Sequence, residues 1–319
     1  MKKGRVSLGI ATALLLAVAA CASHAGMEVS GYTQARYNFF DEATGDDDEF
    51  DLRRVRLKFK GEIDEQGTVA TLQIDLSKLD ESGSGEVGLK DATIAHPLGS
   101  QWSARLGYAS TLFGFEVPYS SSSRLPFERS RAAKKLFPGE RDTGLYLIRA
   151  PQGHSGPEFL VAYTDGLGDW EDEKQSAFVT RLQWGLPGGG VAGVSYLKGD
   201  RTPTTEEFDQ DVLGVHARWN GSNGFNLQGE YYDGKLLGVD VDGWYGQAEY
   251  QFPGTAWTGY YRYDTFDDGD PEHDTYSRNT FGAAYQLDKK QRVSLEVESL
   301  DTERRVSETN WGVQWQFKY

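Results

Sequence analysis

One short run of this chain alternates cations with apolar groups. Arg54, Arg56, Lys58 and Lys60 stand at even positions, with Val55, Leu57 and Phe59 between them. Neighbouring side chains of an extended strand point to opposite faces, so the run sets a basic row against an apolar one. Same-face neighbours lie about 6.6 Å apart, close enough for like charges to repel. Such a row either solvates a surface or offers a track for anions in a water-filled space. Covalent chemistry finds less support. Beyond residue 25 the histidines are His96, His154, His216 and His273. Ser155 adjoins His154, but adjacent residues point apart, and there is no Gly-x-Ser-x-Gly elbow. No enzyme and no cofactor are expected. Two acidic runs, Gly45 to Glu49 and Asp267 to Asp270, carry oxygen ligands suited to calcium. Neither completes an EF-hand loop, and a solvated loop tip is the simpler reading.

The elements that must position the basic row repeat its pattern. Sixteen runs of period two follow one another, from 28–38 and 50–63 to 291–299 and 309–319. Phe178, Leu182 and Trp184 oppose Val179, Arg181 and Gln183; Leu213, Val215 and Trp219 oppose His216 and Arg218. Near Asp91 the alternation slips. Short Gly, Pro, Asn and Asp turns follow the even-numbered runs, as at Pro253-Gly254 and Asp288-Lys289-Lys290. Longer acidic connectors follow odd-numbered runs: Asp41 to Glu49, Asp165 to Glu173, Asp200 to Asp209, Phe266 to His273, Asp301 to Ser307. Sorting connectors to two rims is the habit of a transmembrane antiparallel β-barrel, with short periplasmic turns and long outer loops. The fold expected is therefore an all-β barrel of about 16 strands, apolar toward lipid and polar toward its lumen.

The connector from Ala109 to Asp142, after the fifth run, is the longest. Loops beyond about 15 residues are usually functional or disordered, and this one is rich in Leu and Phe. From Arg124 to Arg141 it carries Arg124, Arg129, Arg131, Lys134, Lys135 and Arg141 against Glu128 and Glu140. Its apolar groups would pin it inside the wall as a third loop folded into the lumen. Its cations would then face Arg54, Arg56, Lys58 and Lys60, with Arg105 beside them, as pore-lining, anion-binding groups. A solvated basic loop pairing with acidic neighbours is the alternative. At lumen-facing parity the opposite wall carries Glu230, Glu249, Asp264, Glu296 and Glu298. Cations facing such an acidic wall make a transverse field, which alone does not set ion selectivity.

Composition agrees with this class. The chain has 319 residues, a formal charge of -15, 38 Gly, 17 Tyr, 8 Trp and a single cysteine. Mean hydropathy is -0.57, which would suit a soluble protein were half of every barrel strand not polar. Residues 1–25 read as a signal peptide: Lys2, Lys3 and Arg5, an apolar core from Leu8 to Ala20, and Ser23 and Ala25 before the cut. Removal takes the charge to about -18 and leaves 26–319 as the barrel, without cysteine. Val18 to Cys21 is also similar to a lipoprotein cleavage box, the alternative processing. An acidic chain argues against nucleic acid.

Phe50 to Glu62, Arg105-Leu106-Gly107, Phe113-Gly114-Phe115-Glu116, Leu125-Pro126-Phe127-Glu128-Arg129-Ser130 and Pro138 to Gly144 resemble the phosphate-selective porin O and P family. The likeness is clearest over 50–145 and at the C-terminus. There Trp311, Val313, Trp315, Phe317 and Tyr319 end the chain in an aromatic strand similar to the insertion signal of outer-membrane barrels. The resemblance implies a sixteen-stranded homotrimeric porin of the Gram-negative outer membrane, in contact with lipid and lipopolysaccharide. Arg54, Arg56, Lys58 and Lys60 match the family's basic strand, and Arg129 the arginine of its inward loop. The function expected is a passive diffusion channel for small hydrophilic solutes, its basic constriction favouring anions such as phosphate. A general or weakly cation-selective porin is the alternative, and behind it an outer-membrane barrel without a transport role. Phosphate, sulfate and organic acids satisfy a basic row equally.

Overall fold

The computed structural model describes residues 26–42, 45–79, 85–151, 156–166, 176–186, 188–201, 208–269, 275–302 and 308–319, with positions 41, 42, 45–47, 201, 208 and 302 through their backbone. The segment read as a signal peptide, with Cys21, lies outside the described residues. So do His154, Ser155, His273 and Asp270.

Sixteen strands follow in chain order. The first eight are β1 (Glu28–Glu42), β2 (Gly45–Glu62), β3 (Val69–Asp75), β4 (Gly88–Pro97), β5 (Trp102–Ser110), β6 (Arg141–Arg149), β7 (Pro157–Thr164) and β8 (Ala177–Leu186). The second eight are β9 (Gly190–Arg201), β10 (Phe208–Asn220), β11 (Phe225–Leu236), β12 (Val239–Gln251), β13 (Trp257–Asp267), β14 (Tyr276–Gln286), β15 (Gln291–Thr302) and β16 (Glu308–Lys318). Each pairs antiparallel with its sequence neighbours, and β1 also pairs with β16, closing the barrel. Closure satisfies every strand edge, which a sheet surrounded by lipid must do. The seam ends on Tyr319, whose backbone N–H and C=O both bond Gly31 at 3.1 Å. A β-carbon on Gly31 would fall 2.4 Å from the Tyr319 ring, so the seam needs glycine there.

Large apolar side chains point outward. Trp311, Val313, Trp315, Phe317 and Tyr319 are each 38–50% exposed on β16 and its end, a contiguous patch that water would penalise and lipid would not. Their neighbours Gln314 and Gln316 point inward and are buried. The alternations read on β8 and β10 hold: Phe178, Leu182, Trp184, Leu213 and Val215 are exposed, while Val179 and His216 are buried, and β12 follows suit with Trp244 exposed and Tyr245 buried.

Two features differ from expectation. The acidic segments read as loops partly extend the ladders. Asp41 pairs with Asp46 and Glu42 with Gly45, so the β1–β2 connector is only 43–44. A strand that outruns the apolar belt needs no apolar face, so pairing continues after the sequence pattern stops. The β11–β12 turn is likewise two residues, Leu237 and Gly238, both at positive φ (55 and 79), the geometry of a type I′ hairpin. The slip near Asp91 is a real bulge, with Gln73 opposite Asp91 and Ile74 opposite Leu89.

The apolar core is inside the barrel. Phe113, Val117, Leu136 and Phe137 of the β5–β6 connector pack on Tyr146, Leu160, Leu197, Val212 and Tyr232 of the wall. The connector holds α1 (Arg131–Leu136), the one helix among the described residues. Ser130 caps it by accepting the Ala133 N–H, and Ala132, Ala133 and Leu136 are its buried face. Each fully buried large side chain contributes about 1.5–3 kcal/mol, ample to hold a segment of this size.

Candidate functional site

On β2 the basic row faces the lumen, but not in the simple order of the sequence. Gln34 pairs with Arg54 and Ala35 with Leu52, so Arg53 is the extra residue of a β-bulge. Two adjacent arginines then reach the same carboxylate: Arg53 Nε lies 3.0 Å from Glu128 Oε1 and Arg54 Nη2 3.3 Å from Oε2. Arg36 Nη1 reaches Glu128 at 3.1 Å from β1, and Lys134 Nζ at 3.4 Å from α1. Four cations thus share one carboxylate. Burial pushes the Glu128 pKa up, but Arg54, Lys134, Arg53 and Arg124 outweigh it and hold the group well below its ordinary value. One stagger along, Arg56 Nε pairs with Asp75 at 2.9 Å and its Nη1 donates to Tyr32 OH at 2.8 Å. Lys58 and Lys60 have no ion pair among the described residues.

The β5–β6 connector (111–140) lies across the lumen, and the inner wall supplies its hydrogen bonds. Glu230 of β11 accepts the N–H of Phe115 at 3.0 Å and that of Glu116. Asp264 of β13 accepts Arg131 N–H, and Glu296 of β15 accepts Phe127 N–H, each at 2.9 Å. Arg278 of β14 donates to the carbonyl of Arg129, Arg262 to that of Glu128 and Arg292 to that of Arg124, at 2.8–2.9 Å. A loop without secondary structure needs such partners when buried. Glycines pave the seat. A β-carbon on Gly214 would stand 2.5 Å from the Phe113 ring, and one on Gly243 2.8 Å from Ala132.

These contacts correct two expectations. Arg124 and Arg129, and on β2 Arg54 at 6% exposure, do not line open water. Arg124 is 2% exposed and donates to the carbonyls of Pro126 and Phe127 at 3.0 and 2.9 Å; burial lowers its pKa to about 10. Arg129 is 7% exposed, donates to the carbonyls of Glu116, Val117 and Tyr119, and pairs with Glu140. A sharp loop leaves carbonyls that no strand can satisfy, and long guanidinium side chains fill that need. The opposite wall is also no open acidic surface. Glu230, Asp264 and Glu296 are at most 5% exposed beneath the loop. Asp264 pairs with Arg278 at 2.9 Å, and Glu298 with Arg278 at 2.8 Å. Glu249 accepts from Gln247 at 2.7 Å.

The remaining candidates are spread around the lumen. Arg105 stacks on Tyr146 at 4.2 Å and Arg131 on Tyr276 at 4.9 Å. Arg141 opens β6 and lies 3.3 Å from Asp91. Lys134 and Lys135 are exposed. Sequence reasoning passed over Arg36, Arg262, Arg278, Arg218 and Arg292, all at lumen parity. Arg218 lies 4.9 Å above the Phe115 ring of the connector. Parity alone would have found these, whereas Arg53 was hidden by the bulge.

His96 Nδ1 is 2.7 Å from Thr68 Oγ1, and His216 Nε2 3.1 Å from Gln183 Oε1. Among the described residues no group of three or more His, Cys, Asp or Glu is placed to hold a metal. Side chains of Asp46 and Asp47 are outside that description. No described helix is long and apolar enough to cross a membrane.

A closed barrel of sixteen strands, greasy outside and charged within, is the architecture of an outer-membrane channel. Residues 30–147 match the family model "Phosphate-selective porin O and P". Similar solved structures include an anion-selective porin from Comamonas acidovorans, with TM-score 0.73 and 13% identity, covering 92% of this chain and 99% of that one. The outer-membrane channel DcaP of Acinetobacter baumannii has TM-score 0.68 and 13% identity, over 92% and 97% of the two chains. A mutant Rh. blastica porin has TM-score 0.63 and 17% identity, over 92% and 100%. At such identity these likenesses concern the fold. No curated protein matches the sequence.

Proposed function

We propose that this outer-membrane barrel is a passive diffusion channel for small hydrophilic solutes with a preference for anions. The observation that carries the reading is the count around Glu128: Arg36, Arg53, Arg54 and Lys134 lie within 3.4 Å of that one carboxylate. Lys58 and Lys60 continue the excess of positive charge along β2. Cations that line a water-filled passage favour anions. Phosphate is the solute named by the family whose model matches 30–147, and an anion-selective porin stands among the similar folds. Three copies assembled in lipid and lipopolysaccharide, after loss of residues 1–25, complete the proposal.

The overall charge of -15 favours a second reading, a general or weakly cation-selective pore. Reversal potentials of the purified protein in a KCl gradient across a planar bilayer separate the two. Anion selectivity is expected. A potential of cationic sign refutes the preference, and no conductance at all refutes the channel.

A further inference from the structure

Glu128 sits where a permeating anion would bind. Its carboxylate takes Arg36 Nη1 at 3.1 Å, Arg53 Nε at 3.0 Å, Arg54 Nη2 at 3.3 Å and Lys134 Nζ at 3.4 Å. For none of these four is another carboxylate within ion-pair distance among the described residues. The remaining polar contacts are neutral: Arg36 to Gln314 Oε1 at 2.9 Å and Arg54 Nη1 to Gln34 Oε1 at 2.9 Å. The seat is built on β1, a bulge of β2 and the last turn of α1. The Glu128 carbonyl is held separately by Arg262 at 2.8 Å, so the loop backbone does not depend on its side chain.

The seat has an open side. Arg36 and Arg54 side chains are 7% exposed, but those of Arg53 and Lys134 are 41% and 42% exposed. A solute therefore meets Arg53 and Lys134 first. On the other side Glu128 borders a cavity of about 150 Å³ whose lining includes Arg36, Asn38, Phe127, Asn310 and two further carboxylates, Glu296 and Glu298; Glu298 is paired with Arg278. Arg36 lines both spaces, so a carboxylate turning into the cavity keeps one of its partners.

We infer that Glu128 is a tethered competitor: its carboxylate occupies an oxyanion seat made by Arg36, Arg53, Arg54 and Lys134, and permeating phosphate-class dianions bind there by displacing it. Four cations less one carboxylate leave the seat strongly positive, which favours a dianion over chloride. Without the competitor the same seat would hold a dianion long enough to block the passage. Glu128 thus sets how briefly the solute stays. This inference rests on the anion preference proposed above and adds the residue that limits the affinity of the seat.

The test is block of chloride current by inorganic phosphate at pH 8 in planar bilayers, for the wild type, Glu128→Gln and Lys134→Gln. Glu128→Gln should lower the half-blocking phosphate concentration by about tenfold, the size expected for removing one nearby like charge. Lys134→Gln alters a side chain that is 42% exposed, and should raise it several-fold. Equal half-blocking concentrations in wild type and Glu128→Gln overturn the inference, as does unchanged block in Lys134→Gln should the glutamine variant fail to fold. The wild-type reversal potential separates the two levels. A cation-selective wild type removes the anion reading itself, whereas an anion-selective wild type with no tightening in Glu128→Gln removes only the competitor.

Discussion

The Phe113 ring lies over the bare backbone of Gly214, with its Cε1 2.5 Å from where a β-carbon would be. Phe113 also meets Phe137 with ring centroids 4.6 Å apart and Tyr232 at 6.2 Å. The β5–β6 connector is thereby keyed to β10 by the absence of a side chain. Gly214→Val should lift the connector from the wall at a cost of about 1–3 kcal/mol, the range for overpacking. Single-channel recording should show a larger or noisier conductance than the wild type, and an unchanged trace would mean that the connector is not seated there.

Asp264 tests the wall beneath the loop. It is 0% exposed, pairs with Arg278 at 2.9 Å, lies 3.7 Å from Arg262 and accepts the Arg131 N–H. Asp264→Ala leaves two arginines buried without this partner and should destabilise the protein by roughly 3 kcal/mol. The temperature at which the folded barrel loses its compact gel mobility should fall. A variant as heat-resistant as the wild type contradicts this role.

Selectivity and loop structure should separate by residue. Arg53→Gln with Arg54→Gln removes one half-exposed and one buried cation beside Glu128 and should move the reversal potential toward cations. Arg124→Gln or Arg129→Gln instead removes donors from loop carbonyls, each loss costing about 1–3 kcal/mol of stability, with little change in reversal potential. If Arg129→Gln shifts selectivity as far as the Arg53/Arg54 pair, its burial in the loop does not describe the conducting state.

The acid limb of stability should depend on Glu128, which lies outside the spanning strands. Its carboxyl is held well below the ordinary 4.5 by the surrounding cations despite its burial. A depressed carboxylate stabilises the fold fully above its unfolded value and loses that contribution progressively as pH falls from there through the native one. The melting difference between wild type and Glu128→Gln should therefore be constant from about pH 7 to pH 5 and shrink below about pH 4.5. A difference that shrinks already between pH 7 and 6 would show that the four cations do not hold the charge.

Several residues are placed on the correct face by the sequence alone. Val179 inward and Phe178 outward, His216 inward and Val215 outward, the aromatic row ending at Tyr319, and the slip near Asp91 all follow from period two. Alternation is a local property, imposed by one backbone geometry on consecutive residues. Strand ends were less legible, because Asp41 and Glu42 continue a ladder that no apolar neighbour marks. The site was legible only in part. Arg56 is on the inner face and Lys134 in the inward loop, whereas Arg54 is as buried as Arg129 and Arg53 turns to the same carboxylate through a bulge that sequence does not announce.

The order of residues alone determined that the chain alternates, how many times it does so, and hence that it must close on itself with an apolar outside. Partnership belongs to the tertiary structure. Only the folded barrel decided that Glu230, Asp264 and Glu296 hold the loop's backbone and do not face the passage, that Arg124 and Arg129 turn inward to loop carbonyls, and that Arg36, Arg53, Arg54 and Lys134 converge on Glu128. Those contacts join residues as many as 169 positions apart, and their strength depends on burial and distance, which no local pattern encodes.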